Sequence, residues 1–153
     1  MGIALSEQFR KMLKDKSYAQ VATIMPDGSP QVTLVWVDTD GRNLLINTTD
    51  GNRKVRNVRR DDRVAMTVTG PGQSAAHVQV RGRVVEITRE GATEHVEELS
   101  QQYHGGPYPL HHLGQRVILK VEPLRIREMM MGDPRDRDGA SANEDARSPS
   151  KGG

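Results

Sequence analysis

Apolar residues recur at every second position through most of this chain, and short turns rich in Asp, Gly and Pro separate the runs. A period of two builds strands with one face inward, and two-to-four-residue turns force neighbouring strands to run antiparallel. Tyr18 to Met25 and Pro30 to Asp38 read as a hairpin across Pro26-Asp27-Gly28-Ser29, and Thr39-Asp40-Gly41 leads into a third strand, Asn43 to Asn47. Arg63 to Thr69, Ala76 to Ile87 and Arg116 to Arg127 complete six strands. Gly82, inside the long fifth strand, predicts a bulge or a sharp bend.

Helical spacing appears in three places. Ser6 is placed to cap a first helix carrying Phe9, Met12 and Leu13, with Leu5 as its hydrophobic staple. A basic segment follows Asn52, and Thr88 to Tyr103 aligns Ala92, His95, Val96 and Leu99 on one side. The expected fold is mostly β: a six-stranded antiparallel barrel with short flanking helices, one domain over residues 1–131. Residues 132–153 carry no hydrophobic period and are rich in Gly, Ser, Asp, Arg and Pro, so a disordered tail is expected there.

The core is short of large rings. Aromatic residues make up 3% of the 153 positions, with one Phe and one Trp, so little area is buried per residue and an oligomer interface would supply the deficit. Twenty-two basic against 20 acidic residues leave a net charge of +2, which argues against a global field for nucleic acid. With no cysteine there is no disulfide framework, thiolate nucleophile or Cys-based metal site, as fits a reducing cytoplasm. No apolar run approaches a membrane span, and Met1 to Lys11 lacks the pattern of a signal peptide. A cytoplasmic protein without membrane or nucleic-acid partners is the expectation.

Chemistry concentrates in LLINTTDGNRKVRNVRR, Leu44 to Arg60. Apolar Leu44, Leu45 and Ile46 run into polar Asn47, Thr48 and Thr49, then a turn at Asp50-Gly51, then Asn52, Arg53 and Lys54 opening a helix. Free N–H groups, a helix dipole and adjacent cations suit a phosphate or carboxylate. The same basic pattern also occurs on helices that do no more than face water.

INTTDGNRK after a strand, with HVQVRGRVVEI further on, resembles the pyridoxamine 5'-phosphate oxidase-like split β-barrel flavoproteins. The resemblance runs from about Ser17 to Val121. ATIMPDGSPQVTLVWV, RKVRNVRRDDRVAMTV and YHGGPYP are similar to the branch that uses the deazaflavin coenzyme F420. It implies a homodimer with cofactor sites at the subunit interface. In it, Arg53 and Lys54 would hold the phosphate and Ile46, Asn47, Thr48 and Thr49 would lie along the ring. Gln79 would reach the cofactor, and His77, two residues earlier, would share its face. The second strand would line the ring through Gln31, Val32, Thr33, Val35 and Trp36. From Asn52 onward, Arg56, Asn57, Arg59 and Arg60 would follow the cofactor's oligoglutamate chain. In the flavin-phosphate oxidases two further cations of the second strand grip the cofactor; here those positions are Thr33 and Asp38, which points away from flavin mononucleotide held in that way. The oxidases' C-terminal substrate segment has no counterpart in LKVEPLRIR.

The implied activity is hydride transfer from reduced F420 to an electron-poor small molecule of enone, quinone or tetrapyrrole type. No residue stands out as proton donor. Tyr103 to Tyr108 reads either as a lid or as a plain connection. A flavin mononucleotide-binding oxidase, or a barrel that carries a flavin, deazaflavin or haem-like ligand without turnover, fits the same cations. His104, His111 and His112 lack the spacing of a metal site, so none is expected.

Overall fold

The computed structural model describes residues 2–71 and 76–129; the expected tail lies outside them. Seven strands and three helices follow in the order α1 (Glu7–Leu13), β1 (Tyr18–Ile24), β2 (Pro30–Trp36), β3 (Asp38–Thr39), β4 (Leu44–Thr49), α2 (Arg53–Arg60), β5 (Arg63–Thr69), β6 (His77–Thr88), α3 (Ala92–His104) and β7 (Arg116–Met129). A single 3-10 turn, His111–Leu113, precedes β7. All strands belong to one antiparallel sheet ordered β2-β1-β5-β6-β7-β4-β3.

The segment expected as one strand, Pro30 to Asp38, is two, so the described residues hold seven strands where six were expected. The β1–β2 ladder runs out at the pair Tyr18–Trp36, and Asp38 and Thr39 pair instead with Leu45 and Leu44. Between them stands Val37, fully buried, its N–H donating to the Ser17 carbonyl. β2 and β3 are therefore the two ends of the sheet, joined through one residue. A trans peptide advances the chain by less than about 4 Å, so the sheet has to curl until its ends come together. The result is a half-barrel with a cleft between its ends rather than a continuous ladder.

Burial alternates as the sequence pattern predicts. β1 turns Ala19, Val21 and Thr23 inward, β5 turns Val64, Met66 and Val68, and β6 turns Val78, Val80 and Val84. The concave face is closed by α1 through Leu5, Phe9 and Leu13 and by α2 through Val55 and Val58. Ser6 caps α1 by accepting from the Phe9 N–H at 3.0 Å. Gly82 sits at a register shift between β6 and β7, where a Cβ would lie 2.3 Å from the Glu122 carbonyl oxygen. β6 pairs on to Thr88, which delays α3 from the expected Thr88 to Ala92. α3 packs outside β4 and β7 through Ala92, against Leu45 and Ile118.

Candidate functional site

Where the ends of the sheet approach each other they leave a cleft of about 340 Å³. Val35 and Trp36 of β2 line one side, Asn47, Thr48 and Thr49 of β4 the other, and Lys54, Tyr108 and Arg116 reach in from α2, the α3–β7 loop and β7. This volume is at the small end of the range for ligand pockets. The turn into α2 sets the position of Lys54. Gly51 takes φ +85°, Asp50 is anchored by Arg59 at 3.0 Å and Arg89 at 2.8 Å, and Asn52 caps the helix by accepting from Val55 N–H at 3.3 Å. Asn52 also donates to Thr48 Oγ1 at 2.6 Å, which ties the helix start to β4.

Two cations face the cleft. Burial pulls the Lys54 ammonium below its ordinary value, and the Arg116 charge pulls the same way. Its hydrogen bond is to the neutral Thr48 Oγ1, 3.4 Å away. Burial also lowers Arg116, which is 7% exposed. Arg116 donates to Asn47 Oδ1 at 2.8 Å, to Thr49 Oγ1 at 2.9 Å and to Tyr108 Oη at 3.1 Å, with its guanidinium 4.9 Å from the Tyr108 ring centre. Among the described residues no carboxylate pairs with either cation. Buried charge of one sign is costly unless an opposite charge arrives, so the cleft is built for an anion. Thr33 of β2 does not line the cleft; its Oγ1 is buried and hydrogen-bonds to no described group.

The fold places the sequence-expected residues in several different settings. Val35, Trp36, Asn47, Thr48, Thr49 and Lys54 meet in the cleft. Ile46, 1% exposed, points into the core, as its place in an alternating strand requires. Asn57 is fully buried beneath the first hairpin, donating to Thr23 Oγ1 at 3.0 Å and Met25 Sδ at 3.4 Å, with Gln31 Oε1 at 3.5 Å. Arg60 donates to the Ile24 carbonyl, and Arg59 is taken by Asp50. Val32, Gln79 and His77 lie apart from the cleft: Val32 and Gln79 line a separate groove of about 780 Å³ on the outer face, and His77 lies 3.4 Å from Gln79. The side chains of Arg53 and Arg56 make no hydrogen bond or ion pair to another described residue and do not line the cleft.

The strand reading of Arg116 missed its role. It opens β7 opposite Thr49, where α3 and the loop cover it, and no local pattern separates it from the exposed arginines further along. Tyr108 was read only as part of a loop. That loop is fastened to α3: the Tyr108 N–H donates to Glu97 Oε2 at 3.2 Å, Ser100 Oγ donates to the Gly106 carbonyl at 2.7 Å, and His111 pairs with Glu97. Tyr103 is occupied structurally, donating to the Ser17 carbonyl and stacking on Trp36 at 4.7 Å, and burial pushes its phenol up to about 12. Among the described residues no three His, Cys, Asp or Glu side chains are grouped to hold a metal ion, and no helix is long and apolar enough to cross a membrane.

The family model for pyridoxamine 5'-phosphate oxidase matches residues 5–130. The solved structure of an F420 reductase is 31% identical, with 80% of this chain and 98% of that chain covered at a TM-score of 0.70. The conserved hypothetical protein Rv2991 from Mycobacterium tuberculosis is 24% identical over 87% of this chain and 96% of its own, at 0.65. HupZ from Group A Streptococcus, 19% identical over 82% and 94%, shares the fold at 0.57. No curated protein matches the sequence.

Proposed function

This chain belongs to the pyridoxamine 5'-phosphate oxidase family, and from that membership we propose that it is a reductase using reduced coenzyme F420. Its acceptor is an electron-poor small molecule of the enone, quinone or tetrapyrrole type. The observation that carries this reading is the pair Lys54 and Arg116, one half-buried and one buried cation with no carboxylate partner among the described residues, facing a cleft between β2 and β4. The likeness to an F420 reductase supports the deazaflavin over flavin mononucleotide.

The residues present fit an anionic ring cofactor. Lys54 and Arg116 would neutralise its phosphate, and Val35 and Trp36 would give the ring an apolar wall. Arg53 and Arg56, uncommitted on α2, meet the carboxylates of an oligoglutamate chain. When bound, the reduced deazaflavin supplies a hydride; the protein contributes orientation and the exclusion of water. The functional unit is a cytoplasmic homodimer. Support for the second copy comes from the separation of Gln79 and His77 from the Lys54 cleft: a site that uses both sets draws them from two chains.

Titrating dialysed protein with coenzyme F420 and with flavin mononucleotide, followed through Trp36 fluorescence, tests the proposal. Tighter binding of F420 is the expected result. Preference for flavin mononucleotide moves the protein to the oxidase side of the family, and binding of neither removes the cofactor reading.

A further inference from the structure

Arg116 is reached by a line of side chains that starts at Asp38, on another edge of the molecule. Asp38 Oδ2 lies 3.0 Å from His95 Nε2, His95 Nδ1 lies 3.1 Å from Asn47 Nδ2, and Asn47 Oδ1 accepts from Arg116 Nε at 2.8 Å. Each polarity in this line is fixed by its neighbour. Arg116 Nε–H can only donate, so the Asn47 atom facing it is the oxygen. The Ala92 carbonyl can only accept, and it stands 2.7 Å from the other end of the same amide, which must be nitrogen. Two independent contacts thus orient the amide, and its second N–H points at His95 Nδ1.

That nitrogen must then accept, so the ring proton is on Nε2, where Asp38 receives it. Burial opposes ionisation of Asp38, yet the hydrogen bonds from His95 and Lys14 hold it down to about 2, an acceptor at any working pH. His95 is 9% exposed and Asn47 is half-buried, held by the Ala92 carbonyl of α3 and by Arg116 of β7, so water competes less well for these bonds than at the surface. Arg116 needs such support. With no carboxylate beside it among the described residues, its direction is set by neutral acceptors alone, and Asn47 is the one that carries a line of further bonds behind it.

We propose that Asp38, His95 and Asn47 are positioning residues that aim the Arg116 guanidinium into the cleft, with His95 held as the neutral Nε2–H tautomer. Asp38 and His95 do not line the cleft and act through Asn47 and Arg116; Asn47 also lines the cleft itself. The binding consequence rests on the cofactor reading above, whereas the geometric one does not.

Nitrogen-15 NMR of the wild-type protein at neutral pH is the first test. An unprotonated Nδ1 and a protonated Nε2 at His95 are expected, and an Nδ1–H tautomer or an imidazolium overturns the proposal. Next, hydrogen exchange at Arg116 Nε–H is compared in His95→Phe, which can neither donate nor accept, and in His95→Gln, which can do both. Exchange should speed up in the first and recover in the second; equal rates in all three proteins overturn the inference. In F420 titrations the same variants should show a loss of about ten-fold and a partial rescue, as for other residues that orient a binding group. If the wild type binds neither F420 nor flavin mononucleotide, the cofactor reading fails, while tautomer and exchange still decide the positioning.

Discussion

Lys54 and Arg116 show how one residue pair can serve function against stability. Burial and the Arg116 charge both pull Lys54 down, burial lowers Arg116, and no described carboxylate offsets them. Replacing Lys54 by Met keeps the side-chain length and removes one of two like charges. The apoprotein should become more stable, by up to about 1 kcal/mol, because burial and repulsion both disappear. Cofactor affinity should fall by about 1.5–3 kcal/mol, the worth of a hydrogen bond to a charged group. Thermal unfolding and a cofactor titration on the same variant measure the two effects; a lower melting temperature without loss of affinity contradicts the assignment. At this scale the alternation of β2 also matters, since Gln31, Thr33 and Val35 face one side and Val32, Leu34 and Trp36 the other. A regular strand cannot turn Gln31, Val32, Thr33, Val35 and Trp36 all to one face. The resemblance named these residues together; Val35 and Trp36 do line the cleft, while Val32 lines the outer groove and Gln31 lies beside Asn57.

At the scale of elements, β6 and β7 are the longest strands and the densest ladder, and Gly82 lets them approach. The shift in register between Arg81 and Gly82 brings the Glu122 carbonyl to where a side chain would be, 2.3 Å from a Cβ, and the obstacle is backbone, so it cannot swing away. Gly82→Ala should therefore cost more than about 2 kcal/mol, as for an overpacked site that must push strands apart. A chemical-denaturation midpoint unchanged from wild type would refute this. α3 shows a different dependence on its surroundings. Its apolar side predicts that it packs, and Ala92 does meet Leu45 and Ile118, but its polar residues His95, Glu97 and Ser100 are used as well, to hold Asn47 and the loop that carries Tyr108.

Two expectations belong to the whole molecule. α3 packs on β4 and β7 and reaches β2 and β1 only at Trp36 and Tyr18, through Tyr103, so the rest of β2 stays open, with Val32 and Leu34 61% and 68% exposed. Bare apolar residues on an edge strand are normally covered. If a second copy covers them, the pair of changes Val32→Glu and Leu34→Glu should turn a dimer into a folded monomer, seen by sedimentation with far-UV circular dichroism unchanged. A wild type that sediments as a monomer removes the homodimer from the proposal. Acid stability is the other expectation. Asp38 joins the end of α1, β3 and α3 through Lys14 and His95, and its carboxyl lies at about 2 against an ordinary 3.8. A depressed folded-state value stabilises the fold above the unfolded value, and that stability is lost as pH falls through the folded one. Unfolding free energy should decline between about pH 4 and pH 2, and Asp38→Asn should flatten that part of the profile while being less stable at neutral pH.

The sequence alone determined the antiparallel strands, the capped first helix, the turn into the basic helix and the bulge at Gly82, because these follow from side-chain period, turn chemistry and the missing Cβ within a few residues of chain. It also placed Asn47, Thr48, Thr49 and Lys54 together, since a strand, a two-residue turn and a helix start bring them within one local unit. Tertiary structure alone decided that β2 and β3 are opposite ends of one sheet, that Asn57 and Ile46 face inward, and that Arg116 is buried. Arg116 comes from more than sixty residues beyond Thr49, and an arginine at the head of a strand reads the same whether it meets water or a cleft. Its burial depends on pairing opposite Thr49 and on α3 lying above, and neither is written in the residues beside it.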